Sequence, residues 1–517
     1  MKGKIISYLK GINPKTLLVI IVLFGLALRL IFFSGYIERD DKHYLAQAYK
    51  FSIGDFSPGD SVWTVRLGVI APTACFFSLF GINKLTAVLF PLLCSIGIII
   101  LIYYLGKLLF DGKVGLVASF LLSFFPLDVI FATHLYPDIP ISFFITLSIF
   151  LFLKGERSEK KIYYLISGIF LGISYLNRLS GLLIGLFFIF YVLYKRKLKI
   201  CYCLIPLGFL LILGLELVLY YFQTGNPLFR YQKTYGERWC IGKSEFLYRG
   251  TNWWIEPLLM LTTNQEFGIF YYFVLPIIVY FLFKRNIEVN ILLIWLIPVL
   301  LYLSYGTVSF SHYLYLRREE RYTSMITTPA LLILAYFLVK KANKKFYYSS
   351  LFLLLLTSIG CVLVDNSRIK DYVSRQIYAF HKEHPNTDML ISPTPYFGAL
   401  FYSKFQIDIH LKLSCVNDYP DSDGVRSIKK IYPEVPISLK FDQIDNAYVA
   451  VRKKYINTVP SNAKLIKIIQ QPKRFYYPIL EKWPFSHVAE KLFTFYKPIV
   501  EGEVVYIFYI DKHRKIN

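Results

Sequence analysis

Residues 17–33 read LLVIIVLFGLALRLIFF, and a few positions later the chain presents Arg39-Asp40-Asp41-Lys42-His43-Tyr44. The first run is hydrocarbon with one charge, Arg29, and at about 1.5 Å per residue it reaches most of the way across a bilayer core of about 30 Å. The second places two adjacent carboxylates at a membrane–water boundary. There they repel each other and lose hydration, and both effects raise the pKa of at least one toward the range that suits proton abstraction near neutral pH. The same residues also read as a solvated helix end, so the rest of the chain decides between the two.

Hydrophobic residues make up 55% of the 517, aromatics 18%, and the mean hydropathy is +0.47. That composition belongs to a polytopic membrane protein with interfacial aromatic belts rather than to a large soluble core. The net charge of +24 does not point to nucleic acid, because the basic residues sit in short runs between apolar segments, where they act as orientation signals. Lys2, Lys4, Lys10 and Lys15 precede the first apolar run with no small-residue cleavage site after it, which predicts a retained anchor. The seven cysteines show no paired metal spacing; Cys201 and Cys203 read as packing, and nothing supports a disulfide between Cys240 and Cys415.

Eleven spanning helices are predicted, over 16–36, 85–106, 114–134, 138–154, 161–177, 179–195, 199–222, 267–284, 289–305, 323–340 and 346–364. With a cytoplasmic N-terminus, the connections 107–113, 154–161, 195–199, 284–285 and 340–345 fall inside, and each carries more Lys and Arg than Asp and Glu. The parity holds when 65–81, interrupted by Gly68 and Pro72, is an outer-face helix that does not cross. Segment 37–84, the turns at Asp138 and Arg178, the loops 223–266 and 306–322, and everything after 365 then lie outside. Residues 1–365 read as the membrane domain and 366–517 as an exoplasmic soluble α/β domain. The latter carries an amphipathic helix over 367–384 and strands over 388–392, 447–451 and 504–510.

Asp138, between Pro137 and Pro140, reads either as a helix-starting Asp or as a second acid facing Asp40 across an outer cavity. Arg178 either snorkels or holds a phosphate through bidentate contacts. Arg66 and the run Arg317-Arg318-Glu319-Glu320-Arg321-Tyr322 invite the same two readings, with Arg321 chosen as the group facing a ligand. Glu216, an acid inside an apolar segment, has a nearby Arg as its expected partner and no assigned role. His43 and His134 each neighbour a candidate acid, so a divalent metal is conceivable, although the spacing is not that of a metal site. Phosphate-loop, serine-hydrolase and zinc-protease motifs are absent from the sequence.

The series Asp40-Asp41-Lys42-His43-Tyr44, Gly54-Asp55, Arg66-Leu67-Gly68, Phe77-Ser78-Leu79-Phe80-Gly81, Phe110-Asp111-Gly112, Tyr136-Pro137-Asp138, Leu176-Asn177-Arg178 and Arg321-Tyr322 resembles the GT-C membrane glycosyltransferases. Within them it is most similar to the dolichyl-phosphate-mannose–protein mannosyltransferase-like group (glycosyltransferase family 39), itself similar to the lipid A aminoarabinose transferases. The resemblance covers residues 16–365. It implies transfer of a hexosyl or pentosyl group from a dolichyl- or undecaprenyl-type phosphate donor to a protein, lipid or glycan hydroxyl, on the outer face of the cell membrane. It implies Asp40 as the base and Asp138 as the second acid, with Arg66, Arg178 and Arg321 as the places to seek the phosphate ligands and Tyr44 and Tyr322 beside them. Relatives often carry Asp-Glu where this chain has Asp40-Asp41, which leaves the part played by Asp41 open. A transporter or flippase of a lipid-linked sugar, with Arg29 and Glu216 lining a path, is the alternative; matched halves are missing from the sequence. An oligosaccharyltransferase is a further reading, but Asn252-Trp253-Trp254-Ile255-Glu256 lacks the W-W-D-Y-G pattern.

Overall fold

The chain is seen in a computed structural model that describes residues 13–37, 39–59, 61–234, 254–284, 286–307, 313, 316, 318–367, 369–414, 437–438, 445–460, 462–474 and 503–511. Its helices are α1 (Pro14–Ile31), α2 (Asp41–Ser52), α3 (Leu67–Phe80), α4 (Lys84–Leu109), α5 (Gly112–Ser123), α6 (Pro126–Phe131), α7 (Asp138–Ser158) and α8 (Ile162–Asn177). Then follow α9 (Gly185–Lys195), α10 (Leu204–Thr224), α11 (Glu256–Thr263), α12 (Phe270–Phe283), α13 (Ile287–Tyr305), α14 (Ser324–Lys340), α15 (Lys344–Asp365), α16 (Tyr372–Glu383) and α17 (Pro393–Tyr402). Short 3-10 segments lead into α9, α10 and α14.

Among the described residues seven helices are long and apolar enough to cross a bilayer, and the chain is a multi-pass membrane protein. Each of the eleven predicted spans corresponds to helix, but 112–123, 162–177, 179–195 and 270–283 are shorter than the rest. The predicted span 114–134 is corrected: it ends at Ser123 and a short helix restarts at Pro126, a first-turn position where proline's missing N–H costs nothing. The restart matters, since α6 carries Asp128. Arg29 of α1 pairs with Asp128 and bonds Ser95 Oγ at 2.6 Å, Gly25 O at 2.8 Å and Ser123 O at 2.9 Å. A buried guanidinium is tolerated because its donors are met, and these contacts tie α1, α4, α5 and α6 together.

Polar contacts also fasten the pair that frames the site. Ser142 Oγ of α7 donates to Ser324 O at 2.8 Å, Thr146 and Thr328 hydroxyls meet at 3.0 Å, and Ser324 Oγ donates to Asp138 O at 3.0 Å. In hydrocarbon, where apolar burial distinguishes little between neighbours, such bonds and close packing set helix position. At the far end Asp111 caps α5 through Lys113 N and Val114 N and pairs with Lys340 at 2.5 Å, while Glu156 accepts from Tyr164 and Lys199. The basic connections gather there.

Among the described residues the C-terminal part forms a six-stranded mixed sheet of β1 (Met389–Ile391), β2 (Leu411–Ser414), β3 (Ile437–Ser438), β4 (Ala447–Arg452), β5 (Lys464–Gln470) and β6 (Val504–Ile510), ordered β3-β2-β1-β4-β6-β5. The first four in that order pair in parallel; β6 runs antiparallel to β4 and β5. The predicted helix 367–384 is shorter, starting at Tyr372. This part rests on the end of the bundle where α1 finishes and α4 begins. Tyr36 stacks on Phe401 (5.1 Å), Tyr49 on Phe405 (4.9 Å), and Lys84 and Tyr402 both reach Asp371. Cys240 and Cys415 lie outside the described residues.

Candidate active site

The segment between α1 and α2 turns on Asp41. Its Oδ2 accepts Ile37 N at 2.7 Å and its Oδ1 accepts Arg39 N at 2.7 Å, so both oxygens are committed to the loop's own amides. The carboxyl is fully buried, and burial pushes its pKa up to about 6 against the pull of those two N–H groups. The repulsion argued from the sequence is real, but Asp41 carries the raised pKa, and Asp41 faces the backbone.

Asp40 faces Arg321 instead. Burial raises its pKa, yet Arg321, donating from Nη2 to Oδ2 at 2.9 Å, outweighs that, and with Arg66 it holds the carboxyl below its usual value. Arg321 is the hub. Its Nε lies 2.5 Å from Glu319 Oε2 and 3.9 Å from Asp138 Oδ2, and its guanidinium sits 4.4 Å from the Tyr136 ring centroid. Asp138 stands in the first turn of α7, where the helix dipole favours an anion, and its Oδ1 accepts Arg178 Nη1 at 3.0 Å. Arg178 in turn stacks on Tyr322 at 3.6 Å. Arg66, just ahead of α3, donates to the Tyr44 hydroxyl and overlies that ring at 5.6 Å.

The residues chosen from the sequence therefore meet. Asp40, Asp138, Arg178, Arg321 and Tyr322 form one connected network, and Arg66 with Tyr44 adjoins it through the field on Asp40. Asp41 is held behind the network. Glu319 and Tyr136 went unselected, although Tyr136 stood in a quoted motif and Glu319 in the arginine run. Arg318 turns away, to Ser304 O and to Glu256 at 2.6 Å.

Beside the network a small recess, with room for about one water molecule, lies between α11, the end of α13 and the turn before α14. Pro257, Met260, Leu300 and Leu303 supply apolar wall, and Arg318, Glu319 and Tyr322 the polar side.

His43 is buried between Trp63, stacked at 5.2 Å, and the edge of Phe397 at 5.6 Å; burial pushes its pKa down to about 3, so it is neutral. His134 is buried with neither ring nitrogen hydrogen-bonded. Among the described residues no three of His, Cys, Asp and Glu are grouped to hold a metal ion. The two charges a transport path would use are occupied: Arg29 by Asp128, and Glu216 by Arg230 at 2.5 Å.

Residues 70–221 match the family described as dolichyl-phosphate-mannose–protein mannosyltransferase. The structure is similar to that of ArnT from Cupriavidus metallidurans bound to undecaprenyl phosphate. The identity is 13% and the TM-score 0.62, over 96% of this chain and 99% of that one. It is also similar to the oligosaccharyltransferase of Archaeoglobus fulgidus in the apo form, with 13% identity and a TM-score of 0.55 over 87% of this chain and 70% of that one. An archaeal oligosaccharyltransferase, AglB of the same organism, in complex with an inhibitory peptide and a dolichol-phosphate, matches at 12% identity and a TM-score of 0.50, over 86% and 69% of the two chains. Among curated proteins none matches the sequence. The fold is thus the GT-C fold that the motif series resembles.

Proposed function

We propose that the chain transfers a sugar from a polyprenyl-phosphate donor to an acceptor hydroxyl on the outer face of the cell membrane, by a single inverting displacement with Asp40 as base. One observation carries the reading. Asp40 and Asp138 approach the same guanidinium, Arg321, at the end of a helix bundle. A lipid phosphate needs a cation where hydrocarbon meets water, and an acceptor hydroxyl needs a carboxylate next to it.

With no donor bound, Arg321 satisfies Asp40. The donor phosphate competes for Arg321 and Arg178, and Arg66 adds to the positive field. Once Arg321 turns to the phosphate, Asp40 loses its cation and becomes a stronger base. The acceptor oxygen then forms its bond to the anomeric carbon as its proton passes to Asp40. The bond from that carbon to the phosphate oxygen breaks, and polyprenyl phosphate departs with its charge held by the arginines. Asp138 keeps Arg178 and Arg321 in place, and Asp41 keeps the loop that presents Asp40. Holding the lipid phosphate on the arginines supplies orientation, which accounts for several kcal/mol of barrier. The basic connections at the opposite end support a cytoplasmic N-terminus and an exoplasmic sheet domain. That arrangement leaves residues 1–365 to bind the donor and 366–517 beside the acceptor, a protein, lipid or glycan hydroxyl.

Membranes containing the chain, given sugar-labelled polyprenyl phosphates, should consume one donor and form a product of opposite anomeric configuration. Retention, or sugar trapped on the protein, would overturn the single displacement. Movement of intact donor across the membrane without release would favour transport.

A further inference from the structure

Glu216 lies one turn before Tyr220 on α10, an apolar helix long enough to span a bilayer, whose outer positions (Leu211, Leu215, Val218) are exposed. An acid there is costly unless it has a partner and a purpose. Its partner, Arg230, comes from beyond the α10 terminus and is itself buried. Arg230 does more than neutralise it. From Nη1 it donates to Glu216 Oε1 at 2.5 Å, and from Nη2 to Tyr175 O at 2.7 Å and Leu176 O at 3.3 Å, while its guanidinium covers the Tyr175 ring at 4.6 Å.

Those two carbonyls belong to the last turn of α8, where carbonyls have no partner within the helix. The next residues are Asn177 and Arg178. At Arg178 the backbone leaves the helix in an extended conformation, and the side chain reaches Asp138. The other flank of the turn is closed by Gly68 of α3: a Cβ there would lie 2.4 Å from Asn177 N. Tyr220, from the same face of α10, donates to Val65 O at 2.8 Å, one residue ahead of Arg66. Tyr220 of α10, and the Arg230 that Glu216 of α10 holds, thus grip the chain just before both arginines.

We propose that the buried Glu216–Arg230 pair is a positioning device, fixing the end of α8 so that Arg178 stands where it meets Asp138 and the donor phosphate. The second half of that statement rests on the donor reading above. The pair itself touches no substrate. Arg230 is suited to the task because one planar fork serves a carboxylate and two carbonyls at once, which an ammonium cannot do in one geometry.

The test uses the full chain in lipid nanodiscs and undecaprenyl phosphate as the probe. Removing Arg230 alone would strand a buried carboxylate, so the pair is replaced together, Glu216→Leu with Arg230→Met, an exchange that buried ion pairs often tolerate. Unfolding temperature should stay near that of the wild type while probe affinity falls on the order of tenfold, the coupling expected of contacting residues. Arg178→Ala should lose affinity similarly, and adding the pair replacement to it should cost nothing more. Unchanged affinity, or an equal loss with and without Arg178, would overturn the proposal. Should the wild type not bind the probe, the donor reading fails instead. The positioning claim is then decided by amide exchange over residues 177–181, which must speed up in the pair variant and whose constancy would overturn it.

Discussion

Replacing Arg321 by Gln should move the acid limb of the pH–rate profile upward. Arg321 and Asp40 meet at 2.9 Å with side chains only 15% and 26% exposed. At an effective dielectric near 20, unit charges about 4 Å apart attract by roughly 4 kcal/mol. Part of that attraction offsets burial, which by itself raises the Asp40 pKa and which persists in the variant. An opposite charge at this range lowers a carboxyl by about 1–3 units. The sign follows directly: without the cation the ionised form is less favoured, the pKa rises, and more alkaline solution is needed to generate the base. The acid limb of kcat/KM for donor consumption should therefore shift up by about 1–3 pH units. A loss of rate accompanies it, because the leaving phosphate also loses a cation. The limb reports the free enzyme, in which the contact exists. If rate falls while the limb stays in place, either Asp40 is not the titrating base or Arg321 does not control it.

Three further outcomes follow from contacts away from the chemistry. Arg29→Met should destabilise the protein by about 3–5 kcal/mol by stranding Asp128, and Arg29→Met with Asp128→Leu should recover most of it, read by thermal unfolding in detergent. Gly68→Ala should cost about 1–3 kcal/mol through overpacking against Asn177 and depress activity through Arg178. Asp41 has a folded-state pKa raised from 3.8 to about 6, so its stabilising contribution is present at acid pH and is lost as pH climbs through that window. The stability difference between wild type and Asp41→Asn should slope between pH 4 and 6 and be flat above; a flat difference throughout would contradict the burial argument.

The membrane helices were legible because length, hydropathy and flanking lysines act locally, and each predicted span found a helix. The continuous reading of 114–134 failed at Pro126, since apolar runs hide a break that costs little hydropathy. The short parallel strands β2 and β3 and the helix α17 left no periodic signal to read. At the site, charges stranded between apolar segments pointed to Asp40, Asp138, Arg178 and Arg321. Their connection was not legible: Arg321 and Asp40 are 281 residues apart, and which carboxylate a guanidinium meets is a product of helix packing. For the same reason Asp40 and Asp41, adjacent in sequence, looked alike. One residue of rotation turns one onto Arg321 and the other onto the amides of Ile37 and Arg39. Arg230 was missed because it lies beyond the end of α10, although a buried acid at Glu216 gave reason to look for it.

The most direct measurement is release of labelled sugar from the preferred polyprenyl-phosphate donor by wild type and by Asp40→Asn, in membranes holding equal amounts of each. Loss of the general base predicts a fall of about 10²–10⁴ in rate with the donor still bound. Asp40→Asn releasing sugar at the wild-type rate would contradict the account.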